Sequence, residues 1–442
     1  MLTIPLMLKS SFLFFLLLKT TVQLYLNIRN CKYVLKKRDR VPDKFNTKIG
    51  LQDHQKAQDY TVANLTTGRF FLLIDVALLL FWTLGGGIKY LDNYLFTFSY
   101  FSIQNIICHG VMLYLVFSFI NMLLSLPEEI YSTFVIEEKF GFNRTTIKTF
   151  IIDHLKGIAL MLIIGIPLLA SLLWIMMKLG QFWWLYAWIF LTLVQLIMMW
   201  IYPVLIAPWF NKFSPMPDGA HKDEVIKLLN KTGFNYKGLF VMDASKRSNH
   251  GNAYFTGWGK NRRIVFFDTL LSTLEPQEVV AVLAHELGHF KYKHILKGML
   301  MSIVLSLLGL YILGVVANAE WFYSAMNVTS FFNDGLSNGL SNGLLWPNHF
   351  YYLALITFSL IVPCYTFFIT PIFAWHSRKN EFMADRFAAE NADANMLISA
   401  LIKMYKENAS TLTPDPLYAK FYYSHPDALA RVEFLESLGT RT

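Results

Sequence analysis

The chain has 442 residues, enough for two or three soluble domains, but its composition excludes that reading. Hydrophobic residues make up 55% and charged residues only 16%, against roughly 45–50% and about 25% in soluble domains. Three cysteines (Cys31, Cys108, Cys364) without a CxxC spacing exclude a disulfide framework and a zinc ribbon. The net charge of +9 is unevenly placed: eight Lys and Arg fall between Arg29 and Lys48, and none between Ala319 and His349. That asymmetry marks membrane topology. A nucleic-acid surface would need interleaved aromatics or a recognisable binding fold.

In chain order, seven apolar stretches reach the roughly 20 residues that a spanning helix needs. They are Ile4–Ile28, Phe70–Ile88, Ser102–Leu126, Leu155–Met177, Phe182–Ile206, Ile295–Ala317 and Tyr351–Trp375. The first contains Lys19, lacks a small-residue cleavage site and has its basic run behind it. It therefore reads as an uncleaved helix with its N-terminus outside. Seven crossings then put Lys32–Arg69, Pro127–His154, Pro208–His294 and His376–Thr442 on the cytoplasmic side. The outer segment Ala319–His349, with its short repeat from Gly335 to Gly343, reads as a flexible loop. Lys19, Asp75 and His109 fall inside predicted spans, where they either hydrogen-bond between helices or snorkel, or line a water-filled space.

The chemistry is concentrated in Val279-Val-Ala-Val-Leu-Ala-His285-Glu286-Leu-Gly-His289. Glu275-Pro276 starts a helix well, and the apolar run that follows predicts a buried one. His285 and His289 are one turn apart on one face and can clamp a zinc ion. Glu286 beside them can take a proton from metal-bound water and return it to a leaving amine. Two imidazoles and a carboxylate are costly in an apolar helix without such a partner.

A catalytic zinc needs a third protein ligand and an open position. After the seventh span the chain reads Ser377-Arg-Lys-Asn-Glu381-Phe-Met-Ala-Asp385. Glu381 can complete a His₂Glu site, and Asp385, one turn on, can reach the free ring nitrogen of a ligand histidine. Alone, the pair would read as a solvated helix face.

The ordered set of HExxH and Glu381-x-x-x-Asp385 closely resembles the integral-membrane zinc metallopeptidases typified by the CAAX prenyl endopeptidase. Phe134–Asn143, Ile206–Phe213, Asn252–Phe255, Arg263–Leu270 and Ser424-His-Pro426 match as well, so the resemblance runs over most of the chain. It implies one zinc per chain held by His285, His289 and Glu381, with Glu286 as general base. It also implies that His425 and Arg431 lie near the scissile carbonyl, where a donor would stabilise an oxyanion. The implied fold is an all-α polytopic membrane protein, seven helices enclosing a chamber, with a zincin-like α+β catalytic region on the cytoplasmic side. The expected segments are 1–207 (five membrane helices and their loops), 208–294 (catalytic, with the HExxH helix), 295–375 (two membrane helices) and 376–442 (catalytic, with the third ligand).

Asn252–Thr256 and Arg263–Phe267 read as two strands around Gly257–Asn261. An extended peptide could add to the outer edge of the first, held by main-chain bonds near Asn252 and Ala253 and by the Asn252 amide. Otherwise Asn252 only caps the strand. His250, nearby, takes no assigned role, and His54, His154, His221, His294, His349 and His376 show no ligand spacing and read as loop or interface residues.

The expected partners are a peptide or protein substrate, prenylated in the CAAX enzymes, and membrane lipid; nucleic acid is not expected. Asn408–Leu417 resembles bacterial members more than fungal and animal ones. That implies a bacterial inner membrane, with the endoplasmic reticulum as the eukaryotic counterpart, and unprenylated quality-control substrates as the alternative to CAAX tails. Two other classes fit the sequence less well: a non-proteolytic zinc scaffold would have no need of Glu286, and a transporter would show inverted repeats, which the sequence lacks.

Overall fold

A computed structural model of the protein describes residues 3–98, 106–256, 262–328 and 350–439. Among these, seven helices are long and apolar enough to cross a membrane: Thr3–Lys37, Leu51–Trp82, Ile106–Glu137, Ile147–Lys178, Gly180–Phe210, His294–Val316 and Tyr351–Asn391. No more than 39% of any span's apolar window is buried by protein, and only 6% in Gly180–Phe210. So much uncovered apolar surface requires lipid. The protein is a multi-pass membrane protein.

Each helix overlaps an expected stretch, but several run well past it. The first continues into the basic segment as far as Lys37, and the last continues through Ser377 to Asn391. Hydropathy marks where a helix leaves the membrane; Lys, Arg and Glu are good helix formers and let it go on. The second stretch departs from expectation in the other direction. Its helix stops at Trp82, Gly86 turns the chain at φ +78°, and Gly87–Phe98 forms a separate short helix. Residues 102–105 of the third stretch, the repeat from Gly335 to Gly343, His349 and the segment Gly257–Asn261 lie outside the described residues.

Two large apolar cores, besides two small clusters, form among the described residues. One sits among the membrane helices around Phe12, Leu113, Leu173, Trp183 and Tyr323. The other gathers Val225, Ile264, Phe266, Val279, Leu283, Leu401 and Val432. In the first core His109 is fully buried, its Nε2 2.7 Å from Asp92 Oδ1, and Tyr352 donates its hydroxyl to Asp92 Oδ2 at 3.4 Å. His109 thus serves helix-to-helix bonding. Lys19 is half-buried and Asp75 exposed.

The second core underlies a four-stranded sheet of β1 (Phe213–Pro215), β2 (Gly238–Met242), β3 (Ala253–Thr256) and β4 (Arg263–Phe267), in the order β1-β2-β4-β3. β2 and β4 are parallel; β1 and β3 flank them antiparallel. Among the described residues β3 is therefore an edge strand, paired through Ala253↔Phe266 and Phe255↔Ile264.

Candidate active site

The HExxH motif lies on the helix Pro276–Lys291. Glu278 Oε2 accepts from the Glu275 backbone N–H at 2.8 Å, satisfying one of the free donors at the helix start. The same buried carboxylate accepts from Ser399 Oγ and Lys403 Nζ, each at 2.7 Å, which ties the helix to Ala394–Glu407. Val279, Ala281, Leu283 and Ala284 are buried on every side of it, as the apolar run predicted.

The helix Thr370–Asn391 crosses directly beneath. The approach is so close that a Cβ on Gly288 would lie 2.8 Å from Ala384 Cα. Gly288 thus decides how near Glu381 and Asp385 come to the histidines. Sequence reasoning gave it no role, because the signal is a contact between segments about a hundred residues apart.

His285 Nε2 and His289 Nε2 face each other at 3.2 Å. Glu381 Oε1 is 3.2 Å from His289 Nε2, and Oε2 is 3.4 Å from His285 Nε2. Metal–ligand bonds of roughly 2.0–2.2 Å define a tetrahedron with edges of about 3.3–3.6 Å, so the three groups stand near the spacing a cation requires. Glu381 is buried, and its Oε2 has no hydrogen-bond partner among the described residues. A buried carboxylate that faces one ring nitrogen with each oxygen, one of them without a hydrogen-bond partner, fits a divalent metal with N and O ligands.

Asp385 Oδ1 accepts from His285 Nδ1 at 2.7 Å, on the ring edge away from Glu381. Burial alone would lower the His285 imidazole, but the hydrogen bond to Asp385 and the nearby Glu381 carboxylate raise it to about 9. Burial raises the Glu286 carboxyl above its ordinary value, opposed by His285 and His289. That is the direction a general base near neutrality needs.

His425 Nε2 lies 3.5 Å from Glu381 Oε1, and its Nδ1 is 3.0 Å from Ser424 Oγ. Its side chain is 63% exposed, open to a cavity of about 650 Å³ that His285, Glu286, Asn252 and Arg431 also line. Arg431 is buried, and its guanidinium is committed to Asp385 through Nε at 2.9 Å and Nη2 at 2.5 Å. The structure therefore places Arg431 behind the histidine, on the side away from Glu381.

Asn252 Oδ1 accepts from the Ala253 N–H at 2.8 Å, so it does close the start of β3 while lining the cavity. Ala253 is buried in the pairing with β4. His250, which the sequence left without a role, donates from Nδ1 to Asn408 Oδ1 at 3.2 Å and holds the approach to this strand.

Two histidines and a glutamate converging on one point, with a carboxylate beside them at the floor of a cavity, define a metallopeptidase built into membrane helices. Comparison with known families agrees. Residues 30–212 match the model "CAAX prenyl protease N-terminal, five membrane helices", and residues 215–438 match "Peptidase family M48". A CAAX prenyl protease 1 homolog of Arabidopsis thaliana is 38% identical over 73% of this chain and 72% of its own. The Homo sapiens homolog is 33% identical over 80% and 79%. The crystal structure of S. mikatae Ste24p, 29% identical, superposes with a TM-score of 0.87 over 97% of this chain and 99% of that one. The chain belongs to peptidase family M48 and is a membrane-embedded metalloprotease.

Proposed function

We propose that the protein is a zinc endopeptidase acting on the C-terminal tails of prenylated CAAX proteins, with His285, His289 and Glu381 holding one zinc per chain. The observation that carries the metal assignment is the near-equal spacing of 3.2, 3.2 and 3.4 Å among the three ligand groups. Zinc, when bound, lowers the pKa of water and polarises a peptide carbonyl. Glu286 takes the proton from the attacking water and delivers it to the departing amine. His425 donates to the carbonyl oxygen as it gains charge. Asp385, braced by Arg431, holds His285 with Nε2 forward. The substrate backbone lies along the free edge of β3 beside Asn252 and Ala253.

The CAAX substrate is supported by the names of the relatives and by the cavity, which runs from Glu286 to Leu65, Leu397 and Tyr422. That apolar wall suits a prenyl chain. Asn408, Ala409, Ser410 and Thr411 also line it, and they belong to the segment that resembles bacterial members. This favours unprenylated membrane proteins as the second reading. The active site faces the cytoplasm, a reading supported by Lys44 of the basic segment pairing with Glu436 at 2.5 Å.

Reconstituted protein incubated with a farnesylated CAAX peptide and its unprenylated twin decides between them. Release of the C-terminal tripeptide from the farnesylated peptide, read by mass spectrometry, supports the first reading. Equal cleavage of both supports the second.

A further inference from the structure

We propose that His294 is a positioning residue for the metal ligand His289: it accepts the hydrogen bond from His289 Nδ1–H and so determines which ring nitrogen faces the metal. The inference rests on the reading of His289 as a ligand. His289 Nε2 is the nitrogen turned toward the site, 3.2 Å from both His285 Nε2 and Glu381 Oε1. On the opposite edge of the ring, Nδ1 lies 3.0 Å from His294 Nδ1. A metal-binding ring nitrogen carries no proton, and a neutral imidazole has one, so the proton of His289 is on Nδ1. Among the described residues the lone pair of His294 Nδ1 is the acceptor in reach, which puts the proton of His294 on Nε2, a buried nitrogen with no hydrogen-bond partner among those residues.

The backbone is shaped to make this contact. On a continuous helix, a residue five positions on would point roughly 140° away around the axis. Here the HExxH helix ends at Lys291, and Lys293 adopts φ +57° before the next helix starts at His294. A left-handed conformation costs a lysine about 1–2 kcal/mol, so the turn is held against an opposing preference. It returns His294 beneath His289, where the Tyr292 ring stacks on it at 5.8 Å and 25°. His294 is only 8% exposed. The two ligand histidines are thus supported unequally, His285 by the carboxylate of Asp385 and His289 by a neutral ring.

The test is zinc affinity of the full chain in detergent, measured by competition with a chromophoric chelator. His294→Leu removes the acceptor at similar bulk and is expected to weaken zinc binding by roughly 10–100-fold, the usual effect of losing such a partner. His294→Asn places an amide oxygen near the position of Nδ1 and is expected to bind near the wild-type value. His294→Asp supplies a carboxylate acceptor and is expected to bind at least as tightly as wild type. Wild-type affinity in His294→Leu would overturn the proposal. So would an equal loss in Asn and Leu, which would leave only packing. If His294→Leu fails to fold, His294→Asp decides alone, and a loss of affinity there overturns it. His289→Ala separates the premise: wild-type zinc binding in that variant removes the ligand assignment itself, and the inference with it.

Discussion

Arg431 donates from Nε and Nη2 to the two oxygens of Asp385, and Asp385 accepts in turn from His285 Nδ1 at 2.7 Å. A cation, an anion and an imidazole thus form one buried line whose far end is the Nε2 that faces Glu381. The resemblance to the CAAX endopeptidases implied that Arg431 sits near the scissile carbonyl. In the structure its fork is occupied with the carboxylate that aims the histidine.

Arg431→Ala therefore leaves the buried Asp385 carboxylate without its cation and with His285 Nδ1–H as its remaining donor, and breaking a buried ion pair in this way costs about 3–5 kcal/mol. A lower Tm and a reduced metal content are expected together. Should the variant keep both and lose only turnover, Arg431 acts on the substrate directly.

Glu286→Gln is expected to retain metal and fold, because the amide is nearly isosteric and Glu286 is outside the three-ligand group. Loss of the base should lower kcat by about 10²–10⁴, as is typical of general base removal. Single-turnover assays on a fluorogenic peptide provide the check; wild-type turnover would remove Glu286 from the mechanism.

His425→Ala should behave differently from Arg431→Ala. Its side chain is mostly open to the cavity, so its loss leaves no buried charge behind. Removing one oxyanion donor costs about 10²–10³ in kcat, with KM and metal content near wild type. Zinc loss in this variant would make His425 a ligand.

Gly288→Ala adds a methyl where Ala384 Cα is 2.8 Å away, and backbone cannot yield as a side chain would. Overpacking of this kind costs about 1–3 kcal/mol. The two helices must separate, which lengthens the distance from His285 and His289 to Glu381. Weaker metal binding is expected to accompany the drop in Tm; an unchanged metal affinity would show that the crossing tolerates the shift.

Orientation is open to cysteine labelling in a background without Cys31, Cys108 and Cys364. A membrane-impermeant reagent added outside is expected to label Glu320→Cys and to spare Glu436→Cys. Labelling of Glu436→Cys from outside would place the C-terminal region, and the site with it, on the other face.

Much of the site was legible in the chain because it is written in local periods. His285 and His289 share a face at four residues, as do Glu381 and Asp385, and both pairs fall on helices that composition alone suggests. Asp92 was not legible as the partner of His109, since it lies on a short helix inside a region that hydropathy reads as one span and its loop. The role of Lys293 was hidden too: nothing in its side chain announces a left-handed backbone.

Composition and spacing by themselves determined that this chain crosses a membrane seven times and carries an HExxH metal helix with a carboxylate pair on a later one. Burial of apolar surface and helical repeat are properties of neighbouring residues, and a single sequence records them. The tertiary structure decided which groups meet across long separations: Gly288 against Ala384, Arg431 on Asp385, His294 under His289. These contacts follow from the angle and distance at which the helices cross. That geometry is set by close packing of the whole catalytic core, and no local pattern encodes it.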